Sequence, residues 1–359
     1  MIELTLTGTS LLVASTLLIG FCGLLFVGSI IAPGPKIETT RSDGTTFVYK
    51  LNGLSLFLFT TAVMILAHYF GWFSLSILIT YFLELFIVTN IFAFAVSLWL
   101  YLEGKNSQTE PSSFLKGYYY GVTLNPTLCG VDLKIYSYRP SLIGLALFNA
   151  SFAAVQYETY GSLTLAMIIY QGFTFLYILN YFHFENGMIF TWDIVSEKFG
   201  WILVWGDFVL VPFFYCICGW YLVHTPDLLS PLAATLLIML YIFGFWMFRG
   251  TNNQKHRFKS NPNIKIWGQP AESLDGRLLV SGFWSWGRHM NYTGEILVYF
   301  SFFLTTCFVS WVPLLLPLWL TGLLIHRSFR DEMRCNAKYG ELWQRYKQRV
   351  RYTMFPPIY

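Results

Sequence analysis

Charge is what this sequence has least of. Lys, Arg, Asp and Glu make up 12% of its 359 residues, about half their share in an ordinary soluble domain. That scarcity excludes a disordered chain, a coiled coil and a typical cytosolic enzyme. Cysteine and histidine are also scarce, six of each. Cys22, Cys129, Cys216, Cys218, Cys307 and Cys335 are scattered, mostly in apolar runs, and the C-x-C pair Cys216/Cys218 is not a usual zinc spacing. Neither a metal site nor a secreted disulfide framework is expected. Phosphate loops are missing as well: no G-x-G-x-x-G follows a strand, and neither G-x-x-x-x-G-K-[ST] nor H-E-x-x-H occurs. A nucleotide, if one binds, is held by a helical site without a Rossmann sheet. No internal repeat, low-complexity tract or nucleic-acid reader motif stands out, so nucleic acid is not expected as a partner.

What is present is apolar and aromatic. The chain is 55% apolar, with 34 Phe, 23 Tyr and 13 Trp and a mean hydropathy of +0.52. The expected class is an all-α polytopic membrane protein. Apolar runs near 8–31, 51–72, 75–101, 141–156, 161–182, 200–223, 231–248, 294–311 and 313–326 suggest nine or ten spans. The first lacks a basic leader and a short apolar core, so it reads as an uncleaved anchor. Pro33-Gly34-Pro35 breaks it, and Ser42-Asp43-Gly44 reads as a turn. Residues 102–140 read as a loop or interface segment.

The few charges are unevenly spread. Residues 1–248 carry 8 Lys/Arg and 13 Asp/Glu, whereas residues 249–359 carry 15 and 6. The expected division is therefore 1–248, spans and lipid side, and 249–359, a half with a membrane hairpin and a basic tail that holds either the anionic membrane leaflet or an anionic ligand. The positive-inside rule places that half in the cytoplasm.

Candidate residues cluster there. Trp284-Ser285-Trp286-Gly287-Arg288-His289-Met290-Asn291-Tyr292 packs groups that stack, hydrogen-bond and bind phosphate into nine residues. The Trp and Tyr alone could be interface anchors. In the tail, Arg327, Asp331 and Cys335 share a helical face, and Gly340 can close that helix. The tail reads either as a solvated amphipathic helix or as a phosphate clamp, with Asp331 pairing an arginine or acting as an acid. Within the spans, Asp207, Glu84 and Glu158 are costly and therefore suspect. His183 and Glu185 stand at a span end, where water can reach them. Tyr215 is either a structural hydroxyl or a proton donor in an apolar cavity.

Taken together, these segments resemble the eukaryotic-type sterol reductases, a family that includes the C14, C7 and C24 enzymes and the membrane domain of the lamin B receptor. The resemblance runs from Tyr49-Lys50-Leu51-Asn52-Gly53 through Leu124-Asn125-Pro126, Arg139-Pro140, Thr191-Trp192-Asp193, Trp205-Gly206-Asp207 and Pro212-Phe213-Phe214-Tyr215. It continues through Phe248 to Lys255, Arg288 to Tyr292, Arg330-Asp331-Glu332, Lys338-Tyr339-Gly340 and the terminal Pro357-Ile358-Tyr359. Asn180, Ser141, Arg351 and Glu295 depart from the family pattern. The resemblance implies about ten transmembrane helices, bound NADPH and reduction of a sterol double bond. It implies cofactor contacts at Lys255, Lys259, Trp284, Arg288, Asn291, Tyr292, Arg327, Asp331, Cys335 and Tyr346. An isolated alkene must be protonated before it accepts hydride, and Tyr215 and Asp331 are the candidate proton carriers. The segments are most similar to C14 reductases, with C7 and C24 behind. The tail is also similar to isoprenylcysteine carboxyl methyltransferases, which use S-adenosylmethionine, and a non-catalytic sterol-binding scaffold is a third reading. The implied home is the endoplasmic reticulum in a eukaryote or the inner membrane in a bacterium.

Overall fold

The computed structural model describes residues 6–41, 44–106 and 113–358. Ser42 and Asp43 of the expected turn and the terminal Tyr359 lie outside the described residues. Among those described, the chain is helical, with four small two-stranded antiparallel sheets. It divides into two units, Met1–His224 and Thr225–Tyr359.

The first unit opens with α1, Gly8–Ile31, whose start is fixed by a capping box between Thr7 and Ser10. A hairpin follows, β1 (Lys36–Thr40) against β2 (Thr46–Lys50), with Lys36 opposite Lys50. Next come α2 (Gly53–Tyr69), α3 (Phe82–Lys105), α4 (Leu133–Tyr160) and α5 (Leu165–His183). The last helix of the unit is α6, Trp201–Leu222. Its middle, Gly206–Phe214, winds as a π-helix around Pro212, a residue with no N–H to donate. The second unit holds α7 (Pro231–Ser260), α8 (Met290–Leu304), α9 (Leu315–Tyr339) and α10 (Glu341–Arg349). Two short hairpins, Lys265–Ile266 with Gln269–Pro270 and Ser273–Leu274 with Leu278–Leu279, join α7 to α8. Among the described residues, six segments are long and apolar enough to cross a membrane: α1, α3, α5, α6, α7 and Val312–Tyr339, which contains α9.

Two boundaries differ from the sequence reading for identifiable reasons. The segment expected to stay irregular up to residue 140 is helical from Leu133. Asp132 caps it, accepting from the backbone N–H groups of Lys134 and Ile135 at 3.0 and 3.2 Å. Pro140 sits inside that helix without ending it. The run expected over 75–101 is divided, with a short helix at Ile77–Thr80 ahead of α3. The α4 helix is buried along most of its length, and α1, α2, α5 and the π-turns of α6 pack on it. The expected stop at Gly340 is present, with φ of +53° closing α9.

The main contact of the second unit is α7 on α8. It depends on two glycines. A Cβ at Gly294 would collide with the backbone nitrogen of Phe248 and lie 2.6 Å from the Gly244 carbonyl oxygen; one at Gly244 would lie 3.0 Å from the Gly294 carbonyl oxygen. Backbone-to-backbone approach of this kind is how apolar helices associate where burial from water cannot drive them together. Gly294→Ala is therefore expected to push α8 off α7 and to lower stability by about 1–3 kcal/mol, read as a fall in thermal midpoint of the detergent-solubilised protein.

Candidate functional site

In the second unit, the end of α7, the 284–292 segment and the polar half of α9 supply a cluster of cations and hydrogen-bonding groups. The Lys255 ammonium lies 5.0 Å from the centre of the Trp284 ring, within cation–π range. Trp284 is buried against Phe258, Ile266 and Leu279, and its indole N–H donates to the Thr251 carbonyl at 3.0 Å. Asn291 donates to the Asn252 side-chain oxygen at 3.3 Å. The Tyr292 hydroxyl donates to Asp331 Oδ2 at 3.0 Å. His289 stacks on Tyr292, with centroids 5.0 Å apart and planes 9° from parallel. Asp331 and Cys335 both lie within electrostatic reach of Lys255, and Arg327 within reach of Tyr292. Cys335 also packs with Tyr346, Trp343, Val280 and Val350. Lys259 and Arg334 reach solvent.

Arg288 is deployed differently from its neighbours. Nε and Nη2 donate to Glu332 Oε1 at 3.0 and 2.5 Å. Nη1 donates to the Val350 and Arg351 carbonyls at 2.8 Å, and Nη2 also donates to Thr353 Oγ1 at 2.8 Å. All five N–H donors are thereby used within the protein. Backbone bonds from Arg288 N to Tyr352 O and from His289 N to Thr353 O reinforce them. This guanidinium fastens the tail beneath the 284–292 segment.

The cluster fits an anionic, hydrogen-bonding ligand. Among the described residues, its buried atoms Asn291 Oδ1, His289 Nε2 and Trp343 Nε1 have no hydrogen-bond partner. Such atoms cost free energy unless something else meets them. Burial holds the His289 imidazole below its ordinary range. Asp331 pulls it upward, while Lys255 and Arg288 push it further down.

In the first unit, Tyr215 follows the π-turn of α6 and is half-buried, its ring against Phe214. The preceding residues Phe208, Pro212 and Phe213 line an apolar cavity of about 320 Å³, together with Thr16, Phe21, Gly144 and others of α1–α4. Asp207 does not stand alone in its span, because the Ser137 hydroxyl donates to it. Glu158 is exposed and accepts from Ser74 at 3.1 Å. Glu185 departs from the expectation of a wet span end. It is 5% exposed, accepts from the Gly53 N–H at 2.9 Å and pairs with Arg139 at 3.3 Å. Burial raises its carboxyl above the ordinary range, and Arg139 opposes that shift. Sequence reasoning also passed over Lys134, whose ammonium donates to the carbonyls of Asp193, Ile194 and Glu197 at 2.7–2.8 Å. Both Lys134 and Arg139 stood in a stretch read as loop, and only a helix begun at Leu133 turns them inward.

The sequence model described as "Ergosterol biosynthesis ERG4/ERG24 family" matches residues 8–359. The chain belongs to this family. A Delta(14)-sterol reductase of Methylotuvimicrobium alcaliphilum is 39% identical over 337 residues, which cover 91% of this chain and 79% of that protein. A Delta(14)-sterol reductase of Arabidopsis thaliana is 38% identical over 344 residues, 93% of each chain. A 7-dehydrocholesterol reductase of Danio rerio is 35% identical over 333 residues, 87% of this chain and 70% of that protein.

Two outcomes follow from the geometry. Arg288→Met leaves the Glu332 carboxylate and three tail oxygens without their donors. Breaking a buried ion pair in this way costs roughly 3–5 kcal/mol, so limited proteolysis is expected to cut after residue 340 in the variant and not in the parent. His289 takes up a proton on unfolding that it refuses when folded. Stability is therefore complete above about pH 6.5 and falls as the pH drops below it, and His289→Gln should flatten that acid limb in thermal melts.

Proposed function

We propose that this protein is a multi-pass membrane oxidoreductase that reduces the C14 double bond of a sterol with NADPH. The observation that carries the choice of bond is the higher identity to Delta(14)-sterol reductases than to the 7-dehydrocholesterol reductase. Reduction at C7 is the second reading, favoured by the same relatedness at slightly lower identity. The shorter apolar helix α2 adds to the six candidate spans; the proposed total is nine or ten spans, with the basic residues 249–359 facing the cytoplasm.

Lys255, Lys259 and Arg327 are the groups for the dinucleotide phosphates, chosen for charge at the polar ends of α7 and α9. Trp284, Asn291, Tyr292, Cys335 and Tyr346 line the same region. Arg288 acts by holding the tail in place. When bound, a reduced nicotinamide supplies hydride. The protein must do the rest: keep water out, position the alkene and deliver a proton to one of its carbons, so that a cation forms at the other. The Tyr292–Asp331 hydrogen bond keeps a proton between a phenol and a carboxylate. Tyr215, beside the apolar stretch of α6, is the second proton carrier. Aromatic faces shield the cation that protonation creates.

The test is incubation of membranes containing the protein with NADPH and a C8,14-diene sterol, followed by mass spectrometry. Loss of the C14 double bond is expected. An untouched diene alongside reduction of a C5,7-diene would shift the assignment to C7, and methyl transfer from S-adenosylmethionine without any reduction would overturn the class. Asp331→Asn and Tyr215→Phe are expected to lower kcat on the order of 100-fold, the scale of a lost general acid. Lys255→Ala is expected to raise KM for NADPH roughly tenfold with kcat little changed.

A further inference from the structure

The first unit contains a second pocket, of about 120 Å³, where the β1–β2 hairpin meets the start of α4. Unlike the apolar cavity, it has Ser29, Tyr49, Lys50, Asp132 and Arg139 in its wall. The Arg139 side chain is 2% exposed. Its Nη2 donates to the Lys50 carbonyl at 3.0 Å and to Glu185 Oε1 at 3.3 Å. Its Nε and Nη1 have no acceptor among the described residues. A buried guanidinium with open donors is rare because each unmade bond leaves part of a charge desolvated.

The neighbouring carboxylates are engaged with other donors. Asp132 accepts from Arg41 at 2.7 Å, from Tyr49 at 3.3 Å and from Asn125 at 3.2 Å. The other oxygen of Glu185 is taken by the Gly53 N–H. Lys134 has Asp193 and Glu197 as further acidic neighbours and gives its protons to three carbonyls. The charged residues in the pocket wall are Lys50, Asp132 and Arg139, of which Asp132 pairs with Arg41 and Arg139 with Glu185.

We propose that this pocket binds one oxyanion, a phosphate or carboxylate group, on the open donors of Arg139 with Lys50 as the second cation. An oxyanion brings several lone pairs to a guanidinium edge and places its negative charge between Arg139 and Lys50. A neutral hydroxyl would do neither. The group can come from a lipid headgroup or from a soluble anion, and the site is independent of the cations in the second unit.

The experiment uses the full chain purified in neutral detergent without phosphate. Inorganic phosphate at about 10 mM, compared with sodium chloride of equal ionic strength, should raise the thermal midpoint by a few degrees. The rise should vanish in Arg139→Gln and Lys50→Glu and persist in Lys255→Ala, which alters only the second unit's cluster. Mass spectrometry of extracted lipid separates the two sources. A phospholipid or fatty acid retained by the parent and lost in Lys50→Glu identifies a headgroup, whereas a clean extract with a phosphate-dependent shift identifies a soluble anion. If Arg139→Gln does not fold, Lys50→Glu, whose side chain is only half-buried, carries the comparison. Equal shifts in the parent and Lys50→Glu, or no shift and no retained lipid, would overturn the proposal and leave water as the occupant.

Discussion

A guanidinium that spends every N–H inside the protein governs the second unit. Arg288 joins the start of α8 to Glu332 on α9 and to three residues of the tail, Val350, Arg351 and Thr353. With the backbone bonds from Arg288 and His289 to Tyr352 and Thr353, that junction holds the segment after α10 beneath the 284–292 segment. The Tyr292–Asp331 bond and the packing of Cys335 against Tyr346 are downstream of it. Charge is scarce in this chain, and this is one place where a charge determines architecture.

The first unit meets the same constraint with a different solution. Its polar groups gather at the beginning of α4, where Asp132, Lys134, Ser137 and Arg139 lie within two turns. Each reaches a different element: Asp132 the β-hairpin through Arg41, Lys134 the 193–197 turn, Ser137 the π-turn of α6, and Arg139 the Glu185 corner. In an apolar surrounding, such bonds have few competitors, so a handful of them can set the relative placement of several helices.

How much of this was legible in sequence follows from the kind of signal involved. Long apolar runs announce α1, α3, α6 and α7, because twenty apolar residues have few alternatives. Gly340 as a helix stop was readable from residue type and spacing; Tyr292 and Asp331 were separate candidates, and the hydrogen bond that joins them spans 39 residues. The start of α4 was not. Its first eight residues are mixed in polarity, and their helicity comes from the Asp132 cap and from tertiary partners far along the chain. For the same reason Glu185 read as a solvated end: its partner Arg139 lies 46 residues earlier. The role of Arg288 was hidden because an arginine beside His, Asn and Tyr looks alike whether it grips a phosphate or a backbone carbonyl.

The π-turns of α6 carry one more implication. Over Gly206–Phe214 the backbone bonds skip one residue further than in the helix on either side, so the chain accommodates a residue that an ordinary winding would not. The side chains before and after that stretch are consequently out of phase, and Trp205 and Trp220 need not mark the same stripe. A one-residue deletion within it would let the helix rewind regularly and rotate everything downstream, Tyr215 included, by about a third of a turn. The bearing of that tyrosine is thus encoded by the number of residues preceding it as much as by its own identity.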